Sequence, residues 1–123
     1  MTHPPRVYAV QVPARRENGA WVHKYDLSAA ERFGELVRVL PYGNVPRDSE
    51  ATAELLHEAL RGEDGFDFGT DFLLLLGDPV AIAQAVLALG QRQHIHREYG
   101  DDATIRALKW DRRAERYEPY VLG

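Results

Sequence analysis

The 123-residue chain has no cysteine, one methionine and two serines. Without cysteine there is no disulfide, no thiolate nucleophile and no thiolate metal ligand, a composition that fits a reducing compartment. Ser28 and Ser49 both stand where helices are expected to begin, so a serine hydrolase would have to use a helix cap as its nucleophile. A GxGxxG fingerprint and a Gly-rich run ending in Lys-Ser or Lys-Thr are also missing, as are internal repeats and low-complexity segments. The longest apolar candidate, residues 72–89, is interrupted by Asp78, Pro79 and Gln84, so no membrane span is expected. The opening MTHPPRVYAV lacks the basic segment and long apolar core of a signal peptide, which makes a cytoplasmic location the expectation.

The net charge is −4, unevenly distributed. Residues 1–25 carry four basic and one acidic side chain, residues 26–78 four and twelve, and residues 79–123 seven and six. An acidic middle argues against a molecule that coats itself in nucleic-acid phosphates, while leaving room for a local basic surface from the two ends.

With 45% hydrophobic residues the chain can build a core, and residues 1–123 are expected to form one compact α/β domain. The clearest signal is residues 71–90. Phe72–Leu76 is an apolar run of strand length with cover on both faces, Gly77-Asp78 breaks it, and Pro79 suits the first turn of a helix over 79–91. Val7–Val12 reads as a first strand, and Trp21–Tyr25 as a short second one that pairs with it. Asn18-Gly19 has the composition of a type I′ turn. Ser28 and Glu31 fit a capping box for a helical turn over 28–32, with Gly34 as the break and residues 35–40 as a strand; one continuous helix is the alternative.

Pro41–Arg47 is a turn-rich loop, after which Asp48 or Ser49 caps an amphipathic helix that Gly62 ends. Thr104–Trp110 and Arg116–Leu122 form a terminal hairpin whose Pro119 belongs at an edge. The fold class is therefore α/β, with α+β as the variant: a single mixed sheet of about five strands, two main helices and a C-terminal β-hairpin.

The helix after Pro79 is apolar nearly all round. Ile82, Val86 and Leu89 suit the sheet, while Ala81, Ala85 and Ala88 form a small-residue stripe that would admit a second helix, either from the same chain or from a partner. Self-association through that stripe is the leading interaction expected.

Three groups of residues bear on chemistry. Asp78, at the end of the leucine strand, reads as a helix cap ahead of a catalytic carboxylate or cation ligand. His94 and His96, with Glu98, Asp101 and Asp102 nearby and His23 or His57 as remote partners, would share a face only on extended backbone. Arg112, Arg113, Arg116, Lys109 and Arg106 with Trp110 and Tyr117 form a basic, aromatic set that Arg15, Arg16, Lys24 and Trp21 could extend. Interleaved acids and a cross-strand Trp110–Tyr117 pair offer the plainer account of that set. No catalytic, metal-ligating or cofactor-binding residue is assigned, and no cofactor is expected.

The stretches LLLLGDPVAIAQAV and ALKWDRRAERYEPY resemble small proteins carried by bacterial phages and mobile elements. That resemblance implies a protein acting by binding replication or host factors. The expectation is a small protein-binding or self-associating module, a homodimer or the partner of another protein. Nucleic-acid binding through the C-terminal hairpin ranks second and a small acid-base or metal-dependent enzyme third. The interaction surface expected comprises Ala81, Ala85, Ala88, Trp110, Arg112, Arg113, Arg116 and Tyr117.

Overall fold

The computed structural model describes residues 3–42, 48–61 and 64–123. Along the chain run β1 (Arg6–Ala9), β2 (Ala14–Glu17), β3 (Ala20–His23), a 3₁₀ helix (Ser28–Phe33), β4 (Glu35–Arg38), α1 (Ser49–Leu60), β5 (Phe72–Leu74), α2 (Pro79–Glu98), β6 (Arg106–Asp111) and β7 (Arg116–Val121). Five strands form one mixed sheet in the order β4-β1-β5-β6-β7. The first four run parallel and β7 returns antiparallel to β6. The leucine strand is interior as expected, between β1 and β6.

Trp21 does not pair with the first strand. β1 is flanked by β4 and β5 in parallel and has no free edge, so β3 pairs instead with β2 in a separate two-stranded sheet. Asn18 and Gly19 make its turn with φ of 51° and 80°, the left-handed values a type I′ turn requires. The break at Gly34 holds, with a 3₁₀ helix before it and a strand after it. A side chain on Gly34 would collide with the Pro5 backbone, so the sheet's edge closes there only around glycine. The capping box does not form; Asp26 Oδ1 accepts from the Ser28 N–H at 2.9 Å, and no side chain caps the turn itself.

Both long helices cover one face of the sheet. Leu56 and Leu60 of α1 and Ala81, Ala85, Ala88 and Leu89 of α2 share a core with Tyr8, Val10, Leu73 and Ile105. On the other face the 3₁₀ helix, with Leu27 and Ala30, closes over Val7, Ala9, Leu74 and Leu108. Asp48 caps α1 through the Glu50 N–H at 2.9 Å, and Asp78 caps α2 through the Val80 N–H at 3.3 Å. The expected stop at Gly62 and residues 43–47 of the turn-rich loop lie outside the described residues. β7 forms an edge of the sheet. The Leu122 N–H points at the Ile105 carbonyl, so by alternation Pro119 turns its donor-less nitrogen outward.

The segment 64–71, without a helix or strand of its own, is held by side chains. The Asp71 carboxylate is fully buried and accepts from the Arg6 N–H at 2.9 Å, the Asp67 N–H at 2.8 Å and the Thr70 hydroxyl at 3.2 Å. Guanidinium groups donate to alternate carbonyls of the same segment: Arg6 to Asp64, Arg92 to Phe66 and Arg106 to Phe68. Arg92 also donates to the Leu60 carbonyl at the C-terminus of α1, where the helix dipole favours a cation. Burial pushes the Arg92 guanidinium below its ordinary value.

Asp71→Ala would strand two backbone N–H groups beside a cavity, each costing roughly 1–3 kcal/mol. Urea denaturation is expected to show a loss of about 3 kcal/mol, and a loss below about 1 kcal/mol would contradict this role for Asp71. A second expectation concerns His3. Its ring contacts the Pro4 carbonyl at 2.8 Å through Nδ1 and the Gly65 carbonyl at 3.0 Å through Nε2, with Asp71 Oδ2 at 3.4 Å. These carbonyls, then the carboxylate, raise its pKa above the ordinary 6.5. A folded-state value above the unfolded one means that the stabilisation is complete below the unfolded pKa and is lost as pH rises through the folded one. Thermal unfolding should therefore show wild type losing its advantage over His3→Gln as pH rises through neutrality; an advantage independent of pH would refute it.

Candidate functional site

The five strands of the main sheet, counted in chain order, lie 2-1-3-4-5. From β1 the chain passes to one side of the sheet, to β4, and from β5 it passes to the other, to β6. Open α/β sheets hold ligands outside the carboxyl ends of the strands at such a reversal. A cleft of about 970 Å³ opens there, lined by the residues that follow β1 and β5. Its volume stands near the upper end of the roughly 300–1,000 Å³ of ligand pockets.

The cleft's floor is built by local backbone needs. Gln11 donates its N–H to the Leu76 carbonyl at 3.2 Å, and its side-chain Oε1 accepts from the Asp78 N–H at 2.7 Å. Gly77 has φ of +108°, and a Cβ there would run into the Gln11 side chain. The floor thus depends on a glycine in a left-handed conformation, with the neighbouring strand's glutamine packed against it.

Two hairpins supply the walls. From β2–β3 and the residues after it come Ala14, Lys24, Tyr25 and Asp26; from β6–β7 come Lys109, Trp110, Arg112 and Tyr117. Segments 10–27 and 109–116 together hold seven basic and four acidic residues, in a chain with 15 and 19. Of these, Lys24, Lys109 and Arg112 line the cleft, together with the carboxylates of Asp26 and Asp78. The Ser28 N–H bonded to Asp26 lowers that carboxyl's pKa, whereas burial, then Asp26 itself, raises the Tyr117 phenol. The first hairpin is fastened to the body at Tyr42, whose ring lies 5.6 Å from Trp21 and 3.9 Å from the Arg38 guanidinium, and whose hydroxyl bonds His23 Nε2.

The expected interaction residues separate into two groups. Ala81, Ala85 and Ala88 are 1%, 0% and 2% exposed, buried between the helices and the sheet. The alanine stripe therefore lets α2 approach its own chain closely, and offers no surface to a partner; Ile82 and Val86 pack beside it, half-buried. Val80, Leu87 and Ile95 are the large apolar residues exposed on α2. Trp110 and Tyr117, opposite one another in the ladder, stack edge to face at 5.0 Å, and both face the cleft. Arg112 and Arg113 are exposed in the turn, where Asp111 Oδ1 accepts the Arg113 N–H at 2.9 Å, and Arg112 joins the cleft lining. The Arg116 guanidinium is bonded to Glu118.

The histidine pair does not converge. α2 runs to Glu98, so His94 meets Glu98 at 3.1 Å while His96 turns to Asp101 at 3.5 Å and to the Phe68 ring. Among the described residues, no group of three or more His, Cys, Asp or Glu is placed to hold a metal ion. Likewise, no helix among them is long and apolar enough to cross a membrane. Gln11, Asp26, Arg38 and Tyr42 were not singled out from the sequence. Of these only Gln11 carried a hint, a polar residue ending an apolar strand before Pro13.

Residues 5–123 match the family described as phage Pam3 gp32-like protein, and a match over nearly the whole chain places it in that phage-associated family. No curated protein and no solved structure matches it.

Gly77→Ala is expected to cost more than about 1 kcal/mol, since it forces a Cβ into a left-handed conformation against Gln11. The equivalent change at Gly90, a helical position with open space around its Cβ, should be neutral or stabilising. Chemical denaturation of the two variants checks the contrast, and equal effects would remove Gly77 from the cleft's architecture.

Proposed function

We propose that this member of the phage Pam3 gp32-like family is a nucleic-acid-binding module whose ligand site is the cleft at the carboxyl edge of the sheet. The observation that carries the reading is the convergence of two hairpins on one concavity. Lys24 and Tyr25 stand on one side, and Lys109, Trp110 and Arg112 on the other. Proteins that hold nucleic acid combine cations for the phosphates with aromatic faces for the bases, and both kinds of side chain are exposed here. The terminal hairpin alone, with Arg116 bonded to Glu118 and Trp110 packed on Tyr117, would be a weak patch. Joined to the first hairpin across a cleft, it becomes one wall of a channel.

A phosphate-binding channel has a defined response to salt. Fluorescence anisotropy with a labelled single-stranded oligonucleotide is expected to give an affinity that falls with salt, with a slope of roughly 0.7 per phosphate neutralised. Replacing Lys109 and Arg112 together by alanine should weaken binding and reduce that slope by about 1.4, the share of two phosphates. An affinity indifferent to salt, or a double variant that binds like wild type, would overturn the assignment.

A further inference from the structure

Resting on the nucleic-acid reading above, we infer that the cleft selects a single strand, held with its phosphates on the basic rim and its bases turned inward, and that it favours bases carrying an exocyclic amino group. The cleft is concave, framed by two hairpins. A protein that reads duplex DNA inserts a convex element, a helix or a two-stranded ribbon, into the major groove. A concavity does the reverse: it receives something narrow and flexible.

The charges in the lining give that strand its orientation. Lys24, Lys109 and Arg112 are solvent-exposed, long and mobile, suited to phosphates that remain in water. The two carboxylates are exposed as well, but each is held in place by a backbone N–H. Asp78 is tied through its N–H to Gln11 and caps α2, while Asp26 is tied to the Ser28 N–H. The cap uses one Asp78 oxygen and leaves the other for a ligand, whereas the Asp26 carboxylate, which accepts from both the N–H and the hydroxyl of Ser28, offers its remaining lone pairs. A phosphate brought to these positions would be repelled, whereas an amino group of cytosine donates to a carboxylate. Tyr25 and Trp110 stand beside them as faces on which a base can stack. Acidic residues that count against nucleic acid when charge is summed thus become the base-facing part of the site.

Oligo-dC and oligo-dT of equal length make the cleanest comparison, because both are pyrimidine strands with the same number of phosphates and differ in the donor at the base edge. A self-complementary DNA hairpin serves as the duplex. At one salt concentration and neutral pH, wild type is expected to bind oligo-dC about fivefold or more tighter than oligo-dT, the factor for one contact of roughly 1 kcal/mol. It should bind the duplex more weakly than either. In the Asp26→Asn, Asp78→Asn double variant the α2 cap and the Ser28 N–H both keep an acceptor oxygen, so the fold persists, as circular dichroism and the thermal midpoint will verify. That variant should bind both strands more tightly, having lost two repulsive charges, and the dC-to-dT ratio should fall toward one. Salt-dependent binding with equal affinities for oligo-dC and oligo-dT, or a duplex bound as tightly as the strands, would overturn the inward-facing arrangement and leave nucleic-acid binding standing. The absence of salt-dependent binding to any of the three probes would instead remove the nucleic-acid reading, and this inference with it.

Discussion

The buried carboxylate of Asp71 is the constraint on which the rest of the molecule stands. Taking a carboxylate out of water costs several kcal/mol, and hydrogen bonds to a charged acceptor return roughly 1.5–3 kcal/mol each. With a hydroxyl and two backbone donors the account closes only because each of them is in place. One of these donors belongs to the start of β1, and Asp71 immediately precedes β5, so a single side chain sets the relative position of the two central strands. The three guanidinium groups on carbonyls 64, 66 and 68 complete the work, and with the segment pinned Phe66 and Phe68 enter the core under α2.

The two ends of the sheet use charge in opposite ways. At the amino end Arg6, Arg92 and Arg106 are spent on main-chain carbonyls of the protein itself. At the carboxyl end Lys24, Lys109 and Arg112 remain exposed around a cleft. A parallel sheet registered firmly at one end delivers its strand ends at fixed spacing at the other, and the floor made by Gln11, Gly77 and Asp78 is what that spacing produces. The chain therefore separates stabilisation from display along a single axis.

Sequence reasoning succeeded where one local signal decides the outcome. Phe72–Leu74 is interior because leucines on successive positions need cover on both faces. Asp78-Pro79 starts a helix, Asn18-Gly19 turns a hairpin, and Gly34 divides a 3₁₀ helix from a strand, each for reasons held within a few residues. It failed where the outcome depends on what lies across space. Ala81, Ala85 and Ala88 read as a stripe for a second helix, from a partner first and from the same chain as the alternative, because small residues favour close approach by anything, and only the fold says that this is the chain's own core. The pairing of Trp21's strand depended on whether β1 had a free edge. The cleft was partly legible: Lys24, Lys109, Trp110, Arg112 and Tyr117 were identified from the two ends of the chain, whereas Tyr25 was read only as a strand residue. That the 2-1-3-4-5 order gathers them on one edge of the sheet was not.

Pro119 has a consequence for how copies of this chain meet when crowded. Its nitrogen interrupts the outer row of donors on β7, so a neighbouring strand cannot continue the ladder without a gap at its middle. At high local concentration an open sheet margin invites runaway stacking, and a missing proton on one imino acid is enough to discourage it. Contact between copies at that margin must therefore be made by side chains such as Tyr120 and Val121, whose geometry is selective, rather than by the main chain, which would accept almost any extended partner.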